Sequence, residues 1–362
     1  MNYSLSNAAE QFSPSLVVFP DRIAANIRAV VAAAGSPERL RPHAKTHKTV
    51  EIARMLLLHG VHKHKCATIA EAEMLAIAGA ADVLIAYPLI GPNVARLAML
   101  KEKYPATQFA SLVDHPANIT ALPRGAAFVL DLDVGQHRTG TAIESAFALF
   151  EMAIDRGLVP FGLQTYDGHT TQESRADREA AVREWLQPVL ALRSRLEANG
   201  WPVPRIIAGG TPNFPVLAAI RDVPGLECSP GTFVLHDHGY ESRYPDIAGV
   251  EPAAVLMTRV VSRPTPTRVT LDLGTKAIAS DPPLAKRVRL LDFPPHELVL
   301  HSEEHLVVET AEAERFQPGD IVYALPGHVC PTVALHRDLL VAEGGAVVGA
   351  WNVLARDRVI TI

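Results

Sequence analysis

Between about residue 39 and residue 235, eight short β-rich runs alternate with helical periods, and few folds can be built from that rhythm. The runs are LRPHAK, KHKCATI, DVLIAYP, QFASLVD, AFVLDLDV, PFGLQTY, RIIAGG and LECSPGTF. Amphipathic segments such as IAEAEMLAIAGA, NVARLAMLKEK and AIESAFALFEMAIDRG separate them. Thr68, with Glu71 three residues later, is a capping-box start for the first of these helices. Ahead of the first run, DRIAANIRAVVAAAG sets Ile23, Ile27, Val30 and Val31 on one helical face and stops at Gly35. Parallel strands need a crossover helix between them. Eight such alternations predict an α/β chain closed as a (β/α)8 barrel of the TIM type, with an open doubly wound sheet as the alternative. No G-x-G-x-x-G or P-loop accompanies the strands, which removes the commonest nucleotide-binding reading.

After about residue 245 the rhythm changes. AAVLMTRVVSRPTPTRVTLDLG, HLVVETAE, GDIVYALPG, LLVAEGGAVVGAWNVLAR and RVITI are β-rich and punctuated by Pro and Gly, and EGGA reads as a hairpin turn. The expected organisation is a barrel over residues 20–244 followed by a second, mostly β domain over 245–362. Residues 1–19, which include SLVVF, are expected to pair with that second domain.

Bulk properties exclude several classes of function. The chain has 362 residues and a net charge of −5, so no global basic field favours nucleic acid or an anionic membrane. No run of about 18 apolar residues suggests a membrane span, and the N-terminus lacks the basic and apolar regions of a secretory signal. Three widely spaced cysteines, Cys66, Cys228 and Cys330, fit a reducing, cytoplasmic setting with at most one chemically active thiol.

In such a barrel the functional groups stand at the C-terminal strand ends. That rule selects Lys45 after the first run and Arg138 in DLDVGQHRTG after the fifth. It selects Tyr166 and His169 in QTYDGHTT after the sixth, Gly209, Gly210 and Thr211 after the seventh, and Gly231 and Thr232 after the eighth. A lysine inside a barrel is costly unless paired, neutral or covalently used. Lys45 also sits in the basic cluster RPHAKTHK, with Arg41, His43, His47 and Lys48 around it. The GGT stretch offers small residues and backbone N–H groups for an anion. A strand-end lysine with a late phosphate cradle is what a barrel holding pyridoxal phosphate needs.

Taken in order, RPHAKTHK, KHKCATIAEAEML, DLDVGQHRTG, AGGTP, CSPGTFVLHD, SEEH and PGHVC resemble the D-threonine aldolase and D-serine dehydratase family of fold-type III, alanine racemase-like, pyridoxal-phosphate enzymes. The resemblance implies that Lys45 carries the cofactor and that Arg138 approaches its phenolic oxygen. It also implies that Gly209, Gly210, Thr211, Gly231 and Thr232 surround the phosphate. Alanine racemases have arginine where this chain has Ser229, and no equivalent of their second-domain tyrosine is evident, which argues against a racemase. His43 and His169 are candidate acid–base groups by motif order, and the basic neighbours of Lys45 are expected to face cofactor or substrate anions. Glu303, Glu304 and His305 resemble a family motif near the metal but read equally as a solvated turn.

His328 and Cys330 stand two apart in PGHVCPT. On an extended strand both would point one way, and an imidazole with a thiolate suits Zn²⁺. Alone, the pair also describes a buried histidine beside an inert cysteine; the resemblance implies a divalent metal there, zinc ahead of manganese or magnesium. The expected activity is lyase chemistry on a small β-hydroxy-D-amino acid. Retro-aldol cleavage like that of D-threonine aldolase leads. D-serine or D-3-hydroxyaspartate dehydration is the alternative, and racemization or non-catalytic cofactor binding ranks lower. A homodimer is expected from the resemblance alone.

Overall fold

The computed structural model describes residues 3–247 and 249–362. The chain divides into two compact units. Met1–Ile27, Thr46–Thr49 and Thr232–Arg356 form one, here the β unit; Arg28–Lys45, Val50–Gly231 and Asp357–Ile362 form the other, the barrel unit. Strand β1 (Ser15–Val18) and helix α1 (Pro20–Ala34) come first. Ile23, Ile27 and Val30 are buried on one face of α1, and Gly35 ends it at φ +80°.

In the barrel unit the order is α2 (Val50–Leu58), β2 (Lys63–Cys66), α3 (Ile69–Ala78), β3 (Asp82–Pro88), α4 (Pro92–Lys103) and β4 (Gln108–Val113). Then come α5 (Pro116–Ala121), β5 (Ala127–Leu132), α6 (Ile143–Asp155), β6 (Val159–Thr165), α7 (Arg175–Ala198), β7 (Ile206–Ala208), α8 (Phe214–Ala219) and β8 (Leu226–Cys228). β2 to β8 form a seven-stranded sheet in sequential order, every neighbouring pair parallel. Apart from β2, which is Lys-His-Lys-Cys, these strands are largely apolar because helices cover them: all six residues of β5 are buried. Leu84, Ala110, Leu112, Val129, Phe161 and Ile207 pack into one cluster across β3 to β7. Thr68 caps α3, its Oγ1 accepting the Glu71 N–H at 3.0 Å.

The first of the eight expected strands is not a strand. LRPHAK makes only two isolated parallel bridges, Leu40 to Cys228 and His43 to Lys65. Arg41 N–H donates to Cys228 O at 2.9 Å and His43 N–H to Pro230 O at 3.1 Å, while Lys65 N–H donates to Pro42 O at 2.9 Å. Pro42 has no N–H to offer, and the chain enters a 3₁₀ turn at Ala44–Thr46 immediately afterwards. The segment nevertheless bonds to β8 on one side and β2 on the other, filling the eighth position of the ring.

RVITI also departs from expectation. It forms no strand and belongs to the barrel unit. The Thr361 and Ile362 N–H groups donate to the buried Glu73 carboxylate at 3.1 and 3.3 Å, and Arg96 donates to Ile362 O at 2.6 Å. A side-chain carboxylate has taken the place of a neighbouring strand.

The β unit continues with α9 (His238–Arg243), β9 (Ala254–Thr265), β10 (Arg268–Leu271), β11 (Val288–Leu290), β12 (Glu297–His301) and β13 (Leu306–Glu309). It ends with β14 (Ile321–Pro326), α10 (Val329–Leu335), β15 (Asp338–Glu343) and β16 (Ala346–Asn352). The sheet runs β12-β13-β10-β9-β1-β15-β16, with β14 joining β9 to β11. β1 lies antiparallel to β9 and parallel to β15. Gly344 and Gly345, at φ +57° and +80°, make the two-residue turn between β15 and β16, since both positions need the left-handed region. Tyr3, Leu5, Val17, Val255, Met257 and Leu325 are among the residues of its core. No helix among the described residues is long and apolar enough to cross a membrane.

Candidate active site

Three strand-end residues chosen from the sequence meet in the barrel unit. Lys45 Nζ lies 5.8 Å from the centroid of the Tyr166 ring, and Arg138 Cζ lies 4.6 Å from the same ring. The aromatic face lies close to both basic side chains, within the range of a cation–π contact. His43 braces the lysine turn: its Nδ1 accepts the Lys45 N–H at 3.2 Å. His169, exposed, rests against Gly135 in the loop after β5, where a Cβ would come within 2.7 Å of its Nε2. His169 also borders a groove of about 370 Å³ with Trp185 and Pro188 of α7.

The seventh and eighth strand ends are tied together. Gly231 N–H donates to Thr211 Oγ1 at 3.0 Å, and Ser229 N–H donates to Ala208 O at 3.0 Å. Gly209 sits at φ +74°, and a Cβ there would collide with Leu217 Cδ1. A Cβ on Gly210 would press on the Tyr166 ring at 3.3 Å. Backbone can therefore approach closely at both glycines, where any side chain would intrude. Ser229 Oγ is buried without a hydrogen-bond partner among the described residues. Thr232, next in the chain after Gly231, belongs to the β unit.

Lys65 was not singled out from the sequence, yet it is a second amine in the barrel interior, 3% exposed. Burial pulls it down to about 7; Asp131 opposes this, and the charges of Lys45, Arg41 and Arg138 add to it. Asp131 accepts from Gln164 Nε2 at 3.0 Å and Thr139 Oγ1 at 2.9 Å, and burial pushes its carboxyl up. Asp167, within the YDGH motif, is fully enclosed and accepts from Asn213 Nδ2 at 2.9 Å; burial pushes it up to about 6. The only signal for Lys65 in the sequence was a lysine flanked by His64 and Cys66 in a strand that had to be buried.

Arg41 corrects an expectation. Its side chain does not face an anion site but is wholly buried between Asp82 and Glu227. Lys48 also turns aside, its Nζ donating to Ala355 O within the β unit at 3.3 Å.

In the β unit, His328 and Cys330 are not on a strand as expected. β14 ends at Pro326; His328 is the N-cap of α10 and Cys330 lies in its first turn. Pro331 is tolerated there because first-turn N–H groups have no intrahelical partner. The two side chains still come within hydrogen-bonding reach of each other. His328 Nδ1 lies 2.6 Å from Asp281 Oδ2. Thr46 Oγ1 and Thr232 Oγ1 lie 3.2 and 3.5 Å from Cys330 Sγ. Burial works against the imidazolium of His328, but Cys330 and then Asp281 push it up to about 9. Burial likewise opposes the Cys330 thiolate, but His328, Thr232 and Thr46 together hold the thiol below its ordinary range. Cys228, by contrast, is pushed up to about 12 by burial, as expected of an inert core thiol. Among the described residues no group of three or more His, Cys, Asp or Glu side chains is placed to hold an ion. Glu303 and Glu304 pair with the exposed Lys276 at 3.2 and 3.1 Å, as a solvated turn would.

The donors present in the barrel unit fit pyridoxal phosphate: an amine in the turn after the eighth ring segment, an orphaned buried hydroxyl, and two glycines at a close-approach loop. The sequence model of the alanine racemase N-terminal domain matches residues 18–219, and that of a putative serine dehydratase domain matches residues 253–342. D-threonine aldolase of Arthrobacter sp. is 30% identical over 358 residues, covering 95% of this chain and 92% of that one. The chain belongs to the D-threonine aldolase and D-serine dehydratase family of fold-type III. D-threo-3-hydroxyaspartate dehydratase of Delftia sp. (strain HT23) is 26% identical over 378 residues, covering 95% of this chain and 94% of that one. The crystal structure of D-threonine aldolase from Filomicrobium marinum superposes with a TM-score of 0.85 at 25% identity, covering 98% of each chain. As a member of this family the protein is a pyridoxal-phosphate-dependent lyase.

Proposed function

We propose that this lyase cleaves β-hydroxy-D-amino acids to glycine and an aldehyde, in the manner of D-threonine aldolase. The observation that carries the reading is the convergence of Lys45, Arg138 and Tyr166 beside the glycine loop, in a chain that aligns with D-threonine aldolase along almost its whole length. Pyridoxal phosphate, when bound, supplies an electron sink for the pair released as a bond to the substrate α-carbon breaks. Lys45 would hold the cofactor through Nζ and, once displaced by substrate, would be free to carry a proton at the α-carbon. Arg138, held over the Tyr166 ring, would set its guanidinium toward the cofactor's phenolic oxygen. Ser229 Oγ and Thr211 Oγ1, with the backbone of Gly209, Gly210, Gly231 and Thr232, would bind the cofactor. His43 would keep the lysine turn in register, and His169 would move a proton at the substrate.

His328 and Cys330 fit a divalent ion with positions left open, zinc by the softness of the pair. Such an ion supplies Lewis acidity toward a hydroxyl group. In the aldol direction the β-hydroxyl gives up its proton, the Cα–Cβ bond breaks, the β-carbon leaves as a carbonyl, and the α-carbon takes a proton to become glycine. In the second reading Lys45 removes the α-proton and the β-hydroxyl departs, leaving an enamine that hydrolyses to a keto acid and ammonia. Cys330 beside His328 and the match to a serine dehydratase domain favour that second reading. A homodimer is part of the proposal.

The test is product analysis of the purified enzyme with D-threonine, D-serine and D-3-hydroxyaspartate, with and without a chelator. Glycine plus an aldehyde establishes the aldolase. Ammonia plus a keto acid overturns it in favour of the dehydratase. Activity unchanged after complete removal of metal, verified by elemental analysis, would remove His328 and Cys330 from the reaction.

A further inference from the structure

The segment that delivers Lys45 makes only isolated bridges to its ring neighbours, and a buried side chain anchors it as well. Arg41 is completely buried. Its Nε donates to Glu227 Oε2 at 2.6 Å, and its Nη1 and Nη2 donate to Asp82 Oδ1 and Oδ2 at 2.6 and 3.0 Å. Nη1 also reaches His64 O at 3.3 Å. One planar fork thus spans β8, β2 and β3, the strands on both sides of the gap that residues 40–43 fill. A guanidinium suits this task because its donors lie in fixed directions and match a carboxylate bidentately, which an ammonium cannot do. The carboxylates have other partners: Lys63 Nζ lies 2.6 Å from Glu227 Oε1, and Arg205 Nη1 lies 2.9 Å from Asp82 Oδ2. Arg205 also stacks over Phe161 at 3.8 Å. Removing Arg41 would therefore not leave either carboxylate without a cation.

We propose that Arg41 is a positioning residue for Lys45: its fork adds lateral fixation to the few backbone bonds that tie residues 40–43 to β8 and β2. The proposal rests on Lys45 being the cofactor lysine. Three residues, Pro42 to Ala44, separate the clamp from Lys45, and the Ala44–Thr46 turn, braced by His43 Nδ1 on the Lys45 N–H, transmits its position.

The test compares Arg41→Met, Arg41→Lys and Arg205→Met in the full chain loaded with pyridoxal phosphate. The readout is the rate at which hydroxylamine releases the cofactor from its lysine, with urea midpoints measured in parallel. Arg41→Met is expected to release cofactor on the order of tenfold to a hundredfold faster, the scale of a misplaced reacting group. Arg41→Lys should fall between it and the parent. Arg205→Met breaks the same ion network without touching residues 40–43, so it should lower the urea midpoint but leave release within about twofold. Release unchanged in Arg41→Met, or accelerated equally by Arg205→Met, overturns the proposal. If Arg41→Met does not fold, the comparison of Arg41→Lys with Arg205→Met decides in the same way. A Lys45→Ala protein that still holds cofactor covalently would show that the reading of Lys45 has failed rather than the clamp.

Discussion

Replacing Gly209 by alanine separates two demands that the loop after β7 makes of its backbone. At φ +74° the residue occupies the left-handed region, which costs an L-amino acid roughly 1–2 kcal/mol. The new methyl would also fall well inside contact with Leu217 Cδ1, and overpacking of a tight site costs about 1–3 kcal/mol. Together Gly209→Ala should destabilise the barrel unit by about 2–5 kcal/mol. Leu217 is fully buried on α8, so Leu217→Ala alone costs a comparable amount, about 2–5 kcal/mol, through the cavity it leaves. Combining the two lets the alanine methyl enter the vacated space. The steric part then disappears while the backbone part stays. A double-mutant cycle by urea denaturation should therefore show a favourable coupling of about 1–3 kcal/mol. Cofactor retention on a desalting column should be poor in Gly209→Ala and only partly recovered in the double variant, because the left-handed strain remains. An additive cycle would refute the collision, and parental stability for Gly209→Ala would refute both components.

Further perturbations follow from buried groups. His64 is fully enclosed, and burial, reinforced by Arg41, lowers it from 6.5 to about 4. The unfolded chain therefore binds the extra proton between those values, so stability is complete above pH 6.5 and falls as the pH drops toward 4, by about 3 kcal/mol in all. Urea midpoints at pH 7 and 5 should diverge less in His64→Leu than in the parent; equal divergence would sink this. Asp237 accepts the Tyr240 N–H at 2.9 Å on one oxygen and the Val329 N–H, between His328 and Cys330, at 3.0 Å on the other. Asp237→Ala should cost about 2–4 kcal/mol and weaken zinc retention against a competing chelator; unchanged zinc affinity would detach Asp237 from the pair. Lys45→Ala should yield colourless protein. A yellow, borohydride-reducible adduct on Lys65, the other amine of the interior, would transfer the cofactor role.

Seven of the ring positions could be read from the chain because short β-rich runs alternate with helical periods, and β5, buried along its whole length, is the clearest. The eighth could not. What makes LRPHAK a ring segment is the pairing of Arg41 with Asp82 and Glu227, 41 and 186 residues away, and nothing local in the sequence announces those partners. The same blindness made the basic cluster look like an anion site, when the Arg41 side chain is spent on internal ion pairs. RVITI has the composition of a strand, but Glu73 captures its N–H groups first. For His328 and Cys330 the strand placement failed: β14 ends at Pro326, two residues before His328 and four before Cys330, and the helix start brings the two side chains together by another route. Lys65 went unnoticed because its significance lies in being enclosed, which only the closed ring decides.

On the proposed role of Arg41, the ion clamp at the ring's eighth position would also set when the protein can become an enzyme during synthesis. Glu227 leaves the ribosome 186 residues after Arg41, a delay of roughly 10–40 s at ordinary elongation rates. Until it emerges, the segment bearing Lys45 has β2 and β3 on one side and no β8 on the other. A nascent chain stalled before residue 227 should therefore leave Lys45 open to amine-modifying reagents, and one stalled well beyond it should bury Arg41 and fix the lysine turn. Cofactor capture would then mark completion of the ring, and a chain truncated before β8 would remain an apoprotein whatever the supply of pyridoxal phosphate.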